Sequence, residues 1–394
     1  MHSLLRLILR TTICAVFAIA MTGLSAVAQN FSVVYNFDMT HGQTPQAGLV
    51  RDSAGNLYGT TASGGSATSG VVFKINTKGK IRVLHTFNDS DGSFPRSDLT
   101  LNGTTLYGTT FGGGTTGAGT IFKISIDGSG FESLYSFTGG DDGSNPASGV
   151  ILDSQGNLYG TTQYGGAFLS GVLYRLSPNR ELTPLHGFTG GSDGAMPMSE
   201  PILDASGDLY GTTEFGGNIN GNCVGLQAGC GVVYKLSPSL KLTVLHSFTN
   251  RNHDGAYPLG ALLRDPAGNL YGTTSGGGGP NNFGTIFKID RQRKFTQLHS
   301  FNAGTPNGVG PQGALVRDAV GNLYGTTTYG GNSSNSGTVF KITASGRERV
   351  LHSFSANDGT GPQGGLLLMP TGVLYGLTTA GGSSDSGVVF KVKP

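Results

Sequence analysis

The chain has 394 residues, of which 68 are glycine and only 12% are charged, with 25 basic and 23 acidic side chains. Glycine is more than twice as frequent as in an average soluble protein but follows no three-residue period, which excludes collagen. The near balance of charge leaves no electrostatic footprint for nucleic acid or for an anionic membrane, so we expect neither partner.

The first residues have the order of an export signal. Two arginines precede an apolar run at residues 13–21, and a small-x-small cleavage site follows at 26–28. We therefore predict a cleaved signal peptide over residues 1–28 and a periplasmic or secreted protein. The alternative is a membrane anchor, but the apolar run is too short to span a bilayer comfortably. The remaining residues, 29–394, carry 23 basic and 23 acidic side chains.

A five-residue motif, Leu-Tyr-Gly-Thr-Thr, recurs almost unchanged along the rest of the chain. Its seven tyrosines are Tyr58, Tyr107, Tyr159, Tyr210, Tyr271, Tyr324 and Tyr375. Seven copies at a period of roughly fifty residues indicate one supersecondary unit repeated seven times. Deviations between copies are small and composition does not change, so we expect a single domain over residues 29–394.

Each repeat contains four short runs that are typical of β-strands. In the sixth copy these runs lie at 311–318, 323–327, 337–342 and 350–354, with turn residues between them. This order predicts an antiparallel meander of four strands of about five residues each. Because the strands carry apolar residues on both sides, both faces of the sheet need cover. Radial stacking provides it, so we predict an all-β fold, a seven-bladed β-propeller.

The two ends of the chain complement each other. The last copy stops after its third strand, whereas residues 33–37 match the fourth strand at 350–354. We therefore predict that the N-terminal strand completes the last blade and leaves no open sheet edge. A linear solenoid, the alternative, would not need this exchange.

Cys223 and Cys230 lie in the only large insertion, which belongs to the fourth copy. Two cysteines that close a short loop in an oxidising compartment favour a disulfide. A metal site is the alternative, but it would need further ligands nearby.

The motifs Asp-x-x-Gly-Asn-Leu-Tyr-Gly-Thr-Thr, Gly-Val-Val-Phe-Lys-Ile and Leu-His-Ser-Phe resemble the GloVer tandem repeat of exported bacterial proteins over essentially the whole mature chain. The family implies an exported protein, often with an anchoring segment, and no assigned activity. This chain ends at Pro394 without such a segment, so free secretion or periplasmic residence is expected. The Asp-x-x-Gly-Asn-Leu-Tyr turn is also similar to NHL and gluconolactonase-type propellers, which supports the fold and carries no reaction.

Two repeated motifs should reach the face of the propeller on which the channel opens. The first, Asp-Gly-x-x-Pro, supplies Asp91, Asp142, Asp193, Asp254 and Asp358. These carboxylates could contact a hard cation or a polar ligand. Turn chemistry is the alternative, because Asp-Gly favours turns and the proline fixes the start of the inner strand.

The second motif is a Gly-Gly loop, in which Tyr164, Phe215 and Tyr329 break the sevenfold pattern. Exposed aromatic rings on a polar face could stack on sugar rings. The alternative is that each ring packs over its own loop. The glutamates are Glu132, Glu181, Glu200, Glu214 and Glu348, and no motif joins them. Glu214 adjoins Phe215, so it is the glutamate that we expect at the ligand face.

Five histidines follow leucine in the fourth strands, where two copies have tyrosine instead. They are His85, His186, His246, His299 and His352. A histidine that tyrosine can replace favours packing between blades over a metal ligand or a general base.

Two hypotheses of function remain. The first is a secreted, monomeric binding module for a glycan or another extracellular protein, with no nucleic acid or membrane partner. The second is a carbohydrate-active or lactone-cleaving enzyme, which needs a non-repeated cluster of ionisable groups with shifted pKa values at the channel mouth. We predict no cofactor and no metal ligands, although a structural or channel-bound cation remains open.

Overall fold

The computed structural model describes residues 30–218, 220–223, 229–251, 254–279, 281–302 and 306–394. These residues form seven four-stranded antiparallel sheets and contain no helix. The predicted seven-bladed β-propeller is therefore confirmed. No helix within this part of the chain could cross a membrane. The predicted signal peptide lies outside the described residues.

The strands of each blade are numbered from the channel outwards. The first strands are Val50–Arg51, Thr100–Asn102, Ile151–Leu152, Ile202–Leu203, Leu263–Arg264, Val316–Arg317 and Leu367–Leu368. The second strands are Leu57–Thr61, Thr105–Thr110, Leu158–Thr162, Leu209–Thr213, Leu270–Thr274, Leu323–Thr327 and Leu374–Thr378. The third strands are Val71–Ile75, Thr120–Ser125, Val172–Leu176, Val232–Leu236, Thr285–Ile289, Thr338–Ile342 and Val388–Lys393.

The outermost strand of blade 7 comes from the N-terminal end. Asn30–Asn36 pairs antiparallel with Val388–Lys393, so the predicted closure of the ring is confirmed. Phe31 and Val33 pack against the core between blades 6 and 7. The other fourth strands are Ile81–Thr86, Glu132–Ser136, Leu182–Gly187, Leu242–Ser247, Phe295–Ser300 and Glu348–Ser353. A separate two-stranded pair joins Gly308–Val309 to Tyr329–Gly330.

The first strands are shorter than predicted. Only two residues pair in most blades, and three in blade 2, where the sequence predicted about five. The residues before them lie around the channel axis, where neighbouring blades approach each other closely. A Cβ built on Gly313 would lie 2.5 Å from the carbonyl oxygen of Gly364 in the next blade. These residues therefore line the channel instead of pairing with the second strand.

One contact, which we call the blade joint, occurs between every pair of neighbouring blades. The glycine before each third strand has a positive φ, and the motif proline of the next blade lies against it. For Gly70, φ is 98°, and a built Cβ would lie 2.6 Å from Cδ of Pro95. Phe94, which precedes this proline, donates its N–H to the carbonyl of Ser69. Any side chain at the glycine would clash, and left-handed backbone disfavours it independently.

The repeated second strand also serves packing between blades. The hydroxyl of Thr60 donates to the carbonyl of Ser97 in the next blade, and Thr109 and Ser148 form the same contact one blade later. The glycine of this strand leaves room for the aromatic ring of the third strand. A Cβ built on Gly59 would lie 2.7 Å from Cζ of Phe73.

Cys223 and Cys230 form a disulfide with a Cα–Cα distance of 5.4 Å, as predicted. Cys230 belongs to the blade joint, because its carbonyl accepts the N–H of Tyr257 in blade 5. The bond therefore attaches the insertion of blade 4 to a rigid point of the ring.

Two blades carry tyrosine where the other five have phenylalanine in the third strand. Tyr174 and Tyr234 are fully buried, and their hydroxyl groups have no hydrogen-bond partner within the described residues. We expect Tyr174→Phe and Tyr234→Phe each to raise the free energy of unfolding by about 1 kcal/mol, because an unpaired buried hydroxyl opposes folding. Chemical denaturation measures this change. The reciprocal control, Phe287→Tyr, should destabilise, and a loss of stability in both phenylalanine variants would contradict the prediction.

Candidate functional site

The two ends of the ring differ in the kind of loop they carry. At one end, each connection from a fourth strand to the next first strand pairs with the loop between second and third strands, as in the bridge between Ser93 and Gly112. We call this end the loop face. The other end, the turn face, carries the turns between strands 1 and 2 and between strands 3 and 4. The Asp-Gly-x-x-Pro and Gly-Gly motifs therefore share the loop face, as expected.

The motif aspartates are held by the strands that precede them. Pairs within 3.0 Å are Asp91 with His85, Asp193 with His186, Asp358 with His352 and Asp142 with Tyr135. Asp254 lies 3.6 Å from His246 and accepts a hydrogen bond from Thr249. The five carboxylates thus encircle the loop face at the outer strands, away from the residues that line the channel. A ligand role for them stays a prediction.

The histidines pack between blades, as predicted. His85 stacks on Phe131 of the next blade with ring centroids 3.5 Å apart, and His352 stacks on Phe31 at 3.6 Å. Burial lowers the pKa of His85, although the charge of Asp91 opposes this shift. Within the described residues, no group of three or more His, Cys, Asp or Glu side chains could hold a metal ion.

The three aromatic residues predicted for the loop face differ in exposure. Phe215 is only 8% exposed and packs with Met196, while Tyr164 and Tyr257 contact the same cluster from the neighbouring blades. The expectation that Phe215 is an exposed ring is therefore wrong, because side chains of three adjacent blades cover it. Tyr329 is 52% exposed.

Other large apolar side chains are exposed on the loop face. Phe94 precedes the motif proline of blade 2, and Phe168 and Leu169 follow the Gly-Gly pair of blade 3. Phe94 has a φ of 55°, and the residue before the motif proline has a positive φ in every blade. The backbone of the blade joint thus fixes this position, while its side chain differs from copy to copy.

Two carboxylates lie together in the channel, a pair that the sequence analysis missed. Asp98 and Glu200 occupy the third position after the motif proline in blades 2 and 4. Elsewhere this position holds Gly48, Gly149, Ala261, Ala314 and Gly365. A Cβ built on Gly149, in the blade between them, would lie 3.3 Å from Oε1 of Glu200. Oδ1 of Asp98 accepts the N–H of Gly48 at 2.5 Å.

Protein surrounds both carboxyl groups, although each is partly exposed to the channel. Burial raises the pKa of Asp98, and the hydrogen bond from Gly48 only partly offsets this. Burial, reinforced by the charge of Asp98, raises the pKa of Glu200 to about 8, against a hydrogen bond from Thr100. Glu214 is separate from this pair, and burial alone raises its pKa to about 7. Glu200 thus holds its proton at neutral pH.

The channel has two compartments that share these carboxylates. The compartment towards the loop face has a volume of about 120 Å³ and is lined by residues of all seven blades, including Arg96 and Met198. The compartment towards the turn face has a volume of about 680 Å³ and is lined mainly by apolar residues of the first strands, such as Leu101 and Leu152. Asp98 and Glu200 border both compartments.

One blade carries a cationic and aromatic cluster beside the mouth of the channel. The guanidinium of Arg96 lies 4.3 Å from the ring centroid of Phe111. The N–H of Phe111 donates to the carbonyl of Phe94, and Asn145 of the next blade donates to the carbonyl of Phe111. These bonds hold the backbone of Phe94 and Phe111 together, and Arg96 contacts the ring of Phe111. We call Phe94, Arg96 and Phe111 the mouth cluster.

The sequence marks these sites by the positions at which its seven copies differ. Each repeat has two variable positions beside the fixed motif, one after the motif proline and one after the Thr-Thr pair. Blade 2 has Arg96 and Phe111 there, whereas blade 3 has Ala147 and Gln163. A comparison of the seven copies position by position would have found the mouth cluster, Asp98 and Glu200.

The sequence matches the model of the Gloeobacter/Verrucomicrobia repeat over residues 15–224 and 222–394. The resemblance inferred from the motifs is therefore confirmed. A search of curated proteins found no match.

Solved structures of other propellers are similar to this chain. An oligogalacturonate lyase in complex with manganese has 12% identity and a TM-score of 0.57, with 94% of each chain covered. PorZ, a surface component of the type-IX secretion system of Porphyromonas gingivalis, has 14% identity and a TM-score of 0.55, covering 91% of this chain and 48% of that one. A gluconolactonase from Xanthomonas campestris has 12% identity and a TM-score of 0.45, and the match covers 94% of this chain and 93% of that one. At these identities the lyase and PorZ show a shared fold alone, and no argument rests on the gluconolactonase.

The protonation of Glu200 makes stability depend on pH. An unfolded chain releases this proton near pH 4.5 and the folded chain near pH 8, so stability falls as pH rises between these values. We expect Glu200→Gln to raise the free energy of unfolding by about 4 kcal/mol at pH 8 and to change it little at pH 4, because glutamine stays neutral. Urea denaturation at both values measures the effect. The exposed control Glu181→Gln should show no such difference, and a destabilised Glu200→Gln at pH 8 would contradict the prediction.

Proposed function

This chain belongs to the Gloeobacter/Verrucomicrobia repeat family, and we propose that it is an exported binding module that binds a glycan across the loop face. The mouth cluster is the observation that carries this proposal. It places one half-buried and one exposed aromatic ring, and a guanidinium over the half-buried ring, at the mouth of the channel, in one blade of seven. Aromatic faces pack on the C–H surface of a sugar ring, while the guanidinium donates to its hydroxyl groups.

The charge of the loop face favours a neutral ligand. Apart from Glu200, which keeps its proton, the connections from fourth to first strands and the channel-lining residues that follow them carry nine acidic side chains, including Asp98. They carry only two basic ones, Arg96 and Arg251. An anionic ligand would be repelled by this surface. An uncharged oligosaccharide is not repelled, and Tyr329 on blade 6 offers it a second exposed ring.

The size of the channel mouth favours a ligand that lies across it. The compartment below the mouth has a volume of about 120 Å³, whereas pockets that enclose a small ligand measure about 300–1,000 Å³. A sugar chain would therefore extend over the loops, where Phe94 and Tyr329 are exposed, rather than enter the ring.

Export is part of the proposal. The predicted signal peptide implies it, and a disulfide between Cys223 and Cys230 is compatible with an oxidising compartment.

A second candidate function is hydrolysis at the turn-face end of the channel. The observation in its favour is the compartment of about 680 Å³ that ends at Asp98 and Glu200. A carboxylic acid that stays protonated at neutral pH can act as a general acid, and Glu200 meets this condition. A lactone or a glycoside fits the size of this compartment.

To test the glycan proposal, the mouth cluster can be replaced by the residues that blade 3 has at the same positions. The triple variant is Phe94→Asn, Arg96→Ala and Phe111→Gln, which copies Asn145, Ala147 and Gln163. It should keep the fold, because blade 3 uses these residues on an equivalent backbone. We expect neutral oligosaccharides found on a glycan array to bind at least tenfold more weakly, about 1.4 kcal/mol, as measured by calorimetry.

The control for this experiment is Val320→Ala, which removes an exposed apolar side chain from the turn face. Its affinity should equal that of the parent protein. Failure of the folded parent protein to bind any array glycan, or unchanged affinity in the triple variant, would refute the proposal.

The hydrolase candidate has its own test. The protein is assayed on chromogenic glycosides and lactones, and any activity should fall at least a hundredfold in Glu200→Gln, because glutamine cannot donate the proton. The triple variant of the mouth cluster should keep this activity. Equal activity in parent and Glu200→Gln proteins would rule out catalysis by the channel pair.

A further inference from the structure

The balance of charge in the whole chain conceals a strong separation within the ring. We counted charged side chains from the first strand of each blade to the start of its fourth strand. In blades 5, 6, 7 and 1 this part carries sixteen basic and six acidic side chains, at residues 263–295, 316–349, 367–393 and 50–82. The corresponding parts of blades 2, 3 and 4 carry five basic and seven acidic side chains, counted over 100–132, 151–182 and 202–242. Positive charge is therefore concentrated in one half of the ring.

These four blades are adjacent only because the ring is closed. The pairing of Asn30–Asn36 with Val388–Lys393 completes blade 7, whose joint to blade 1 holds Gly387 against Pro45. Residues near the two ends of the sequence thus form one continuous surface. Their basic side chains lie on the turn face, at the ends of the strands and in the turns between strands 3 and 4. We call this surface the basic arc.

The acidic residues of the basic arc are mostly occupied. Asp52, Asp265 and Asp318 each accept hydrogen bonds from the turn that follows and from the tyrosine of the second strand. Asp290 accepts two N–H groups of its own turn. Glu348 lies 3.1 Å from His299. These carboxylates are directed into the fold and leave the surface to the cations.

Twelve of the sixteen basic side chains, in contrast, are exposed, and the other four are half-buried. Arg291, Arg293 and Lys294 follow one another in the outer turn of blade 5, and Arg293 stands at its tip with a φ of 64°. None of the three forms an ion pair with another described residue. Arg347 in blade 6 and Lys80 in blade 1 occupy corresponding outer turns and are also exposed.

We propose that the basic arc binds a linear anionic polysaccharide, whose carboxylate or sulfate groups contact successive blades. Arginine supplies half of the cations in the arc, and its planar guanidinium matches oxyanions with two hydrogen bonds. Spaced cations along a curve fit a flexible chain, which can contact several blades at once and gain avidity from many weak contacts. This surface is distinct from the mouth cluster and opposite in charge to the loop face.

A membrane fits this surface less well. Proteins that lie on anionic membranes insert apolar side chains beside their basic ones. Among the described residues of the arc, Val320 is the one large apolar side chain that is highly exposed. Single-stranded nucleic acid is less well matched than a polysaccharide, because the described part of the turn face in these blades offers bases no exposed large aromatic ring to stack on.

Two pairs of equivalent positions provide a matched test. Arg293 in blade 5 and Arg180 in blade 3 occupy the same turn position, with φ values of 64° and 66°. Lys294 in blade 5 and Lys241 in blade 4 occupy the next position. The arc variant is Arg293→Gln with Lys294→Gln, and the control is Arg180→Gln with Lys241→Gln. Both remove two positive charges from the turn face.

The probes are polygalacturonate, dextran sulfate, uncharged dextran, double-stranded DNA and vesicles that contain phosphatidylserine. We expect the mature protein to bind the two anionic polysaccharides, with affinity that falls as salt rises, and not to bind dextran. The arc variant should bind about tenfold more weakly and the control less than twofold. The triple variant of the mouth cluster should bind these polymers as well as the parent does, which separates this result from the proposed function.

Three results would overturn the proposal. One is no binding of either anionic polysaccharide at physiological salt. The second is an equal loss of affinity in the arc variant and the control, which would mean that net charge and not the arc matters. The third is tighter binding of DNA or vesicles than of both polysaccharides, which would assign the arc to a different partner.

Discussion

The ring depends on one contact, the meeting of a glycine with the proline of the next blade. A built Cβ on the glycine would lie within 2.8 Å of the proline at all seven joints, including Gly387 with Pro45 at the closure. The glycine needs a positive φ, and the residue before the proline has one too. Both constraints recur at every joint. No side chain fits at the glycine, whereas the residue before the proline varies in type and keeps only its positive φ.

The joint also determines where the copies are free to differ. The side chains beside the proline and after the Thr-Thr pair lie near the channel mouth and take no part in the joint, which uses only the backbone there. They can therefore change without altering the angle between blades. This is why Arg96 and Phe111 can stand where blade 3 has Ala147 and Gln163. The rigid backbone holds each variable side chain at a defined place around the axis, which is what a binding surface needs.

The fold was largely predictable from the sequence, and the site was not. The period, the strand runs and the exchanged fourth strand are local patterns, and each defines one part of the ring. Asp98 and Glu200 lie about a hundred residues apart in the sequence. They come together because blades 2 to 4 curve around the channel and because Gly149, between them, has no side chain. Burial of Phe215 likewise depends on Met196 and on rings from the adjacent blades. Such contacts join residues of different blades, whereas a repeat motif predicts only the structure within one blade.

Net charge was the least informative quantity, because closure of the ring redistributes it. Residues 50–82 and 316–393 are far apart in the sequence and adjacent in the structure, so their cations reinforce one another on one half of the turn face. Like charges there repel, and water and salt screen most of this cost at exposed turn tips. In the channel, burial first and the charge of Asp98 second raise the pKa of Glu200, which therefore keeps its proton. Exposure to solvent thus lets the surface cations keep their charge beside one another, whereas burial, reinforced by a neighbouring like charge, leaves the channel carboxyl neutral.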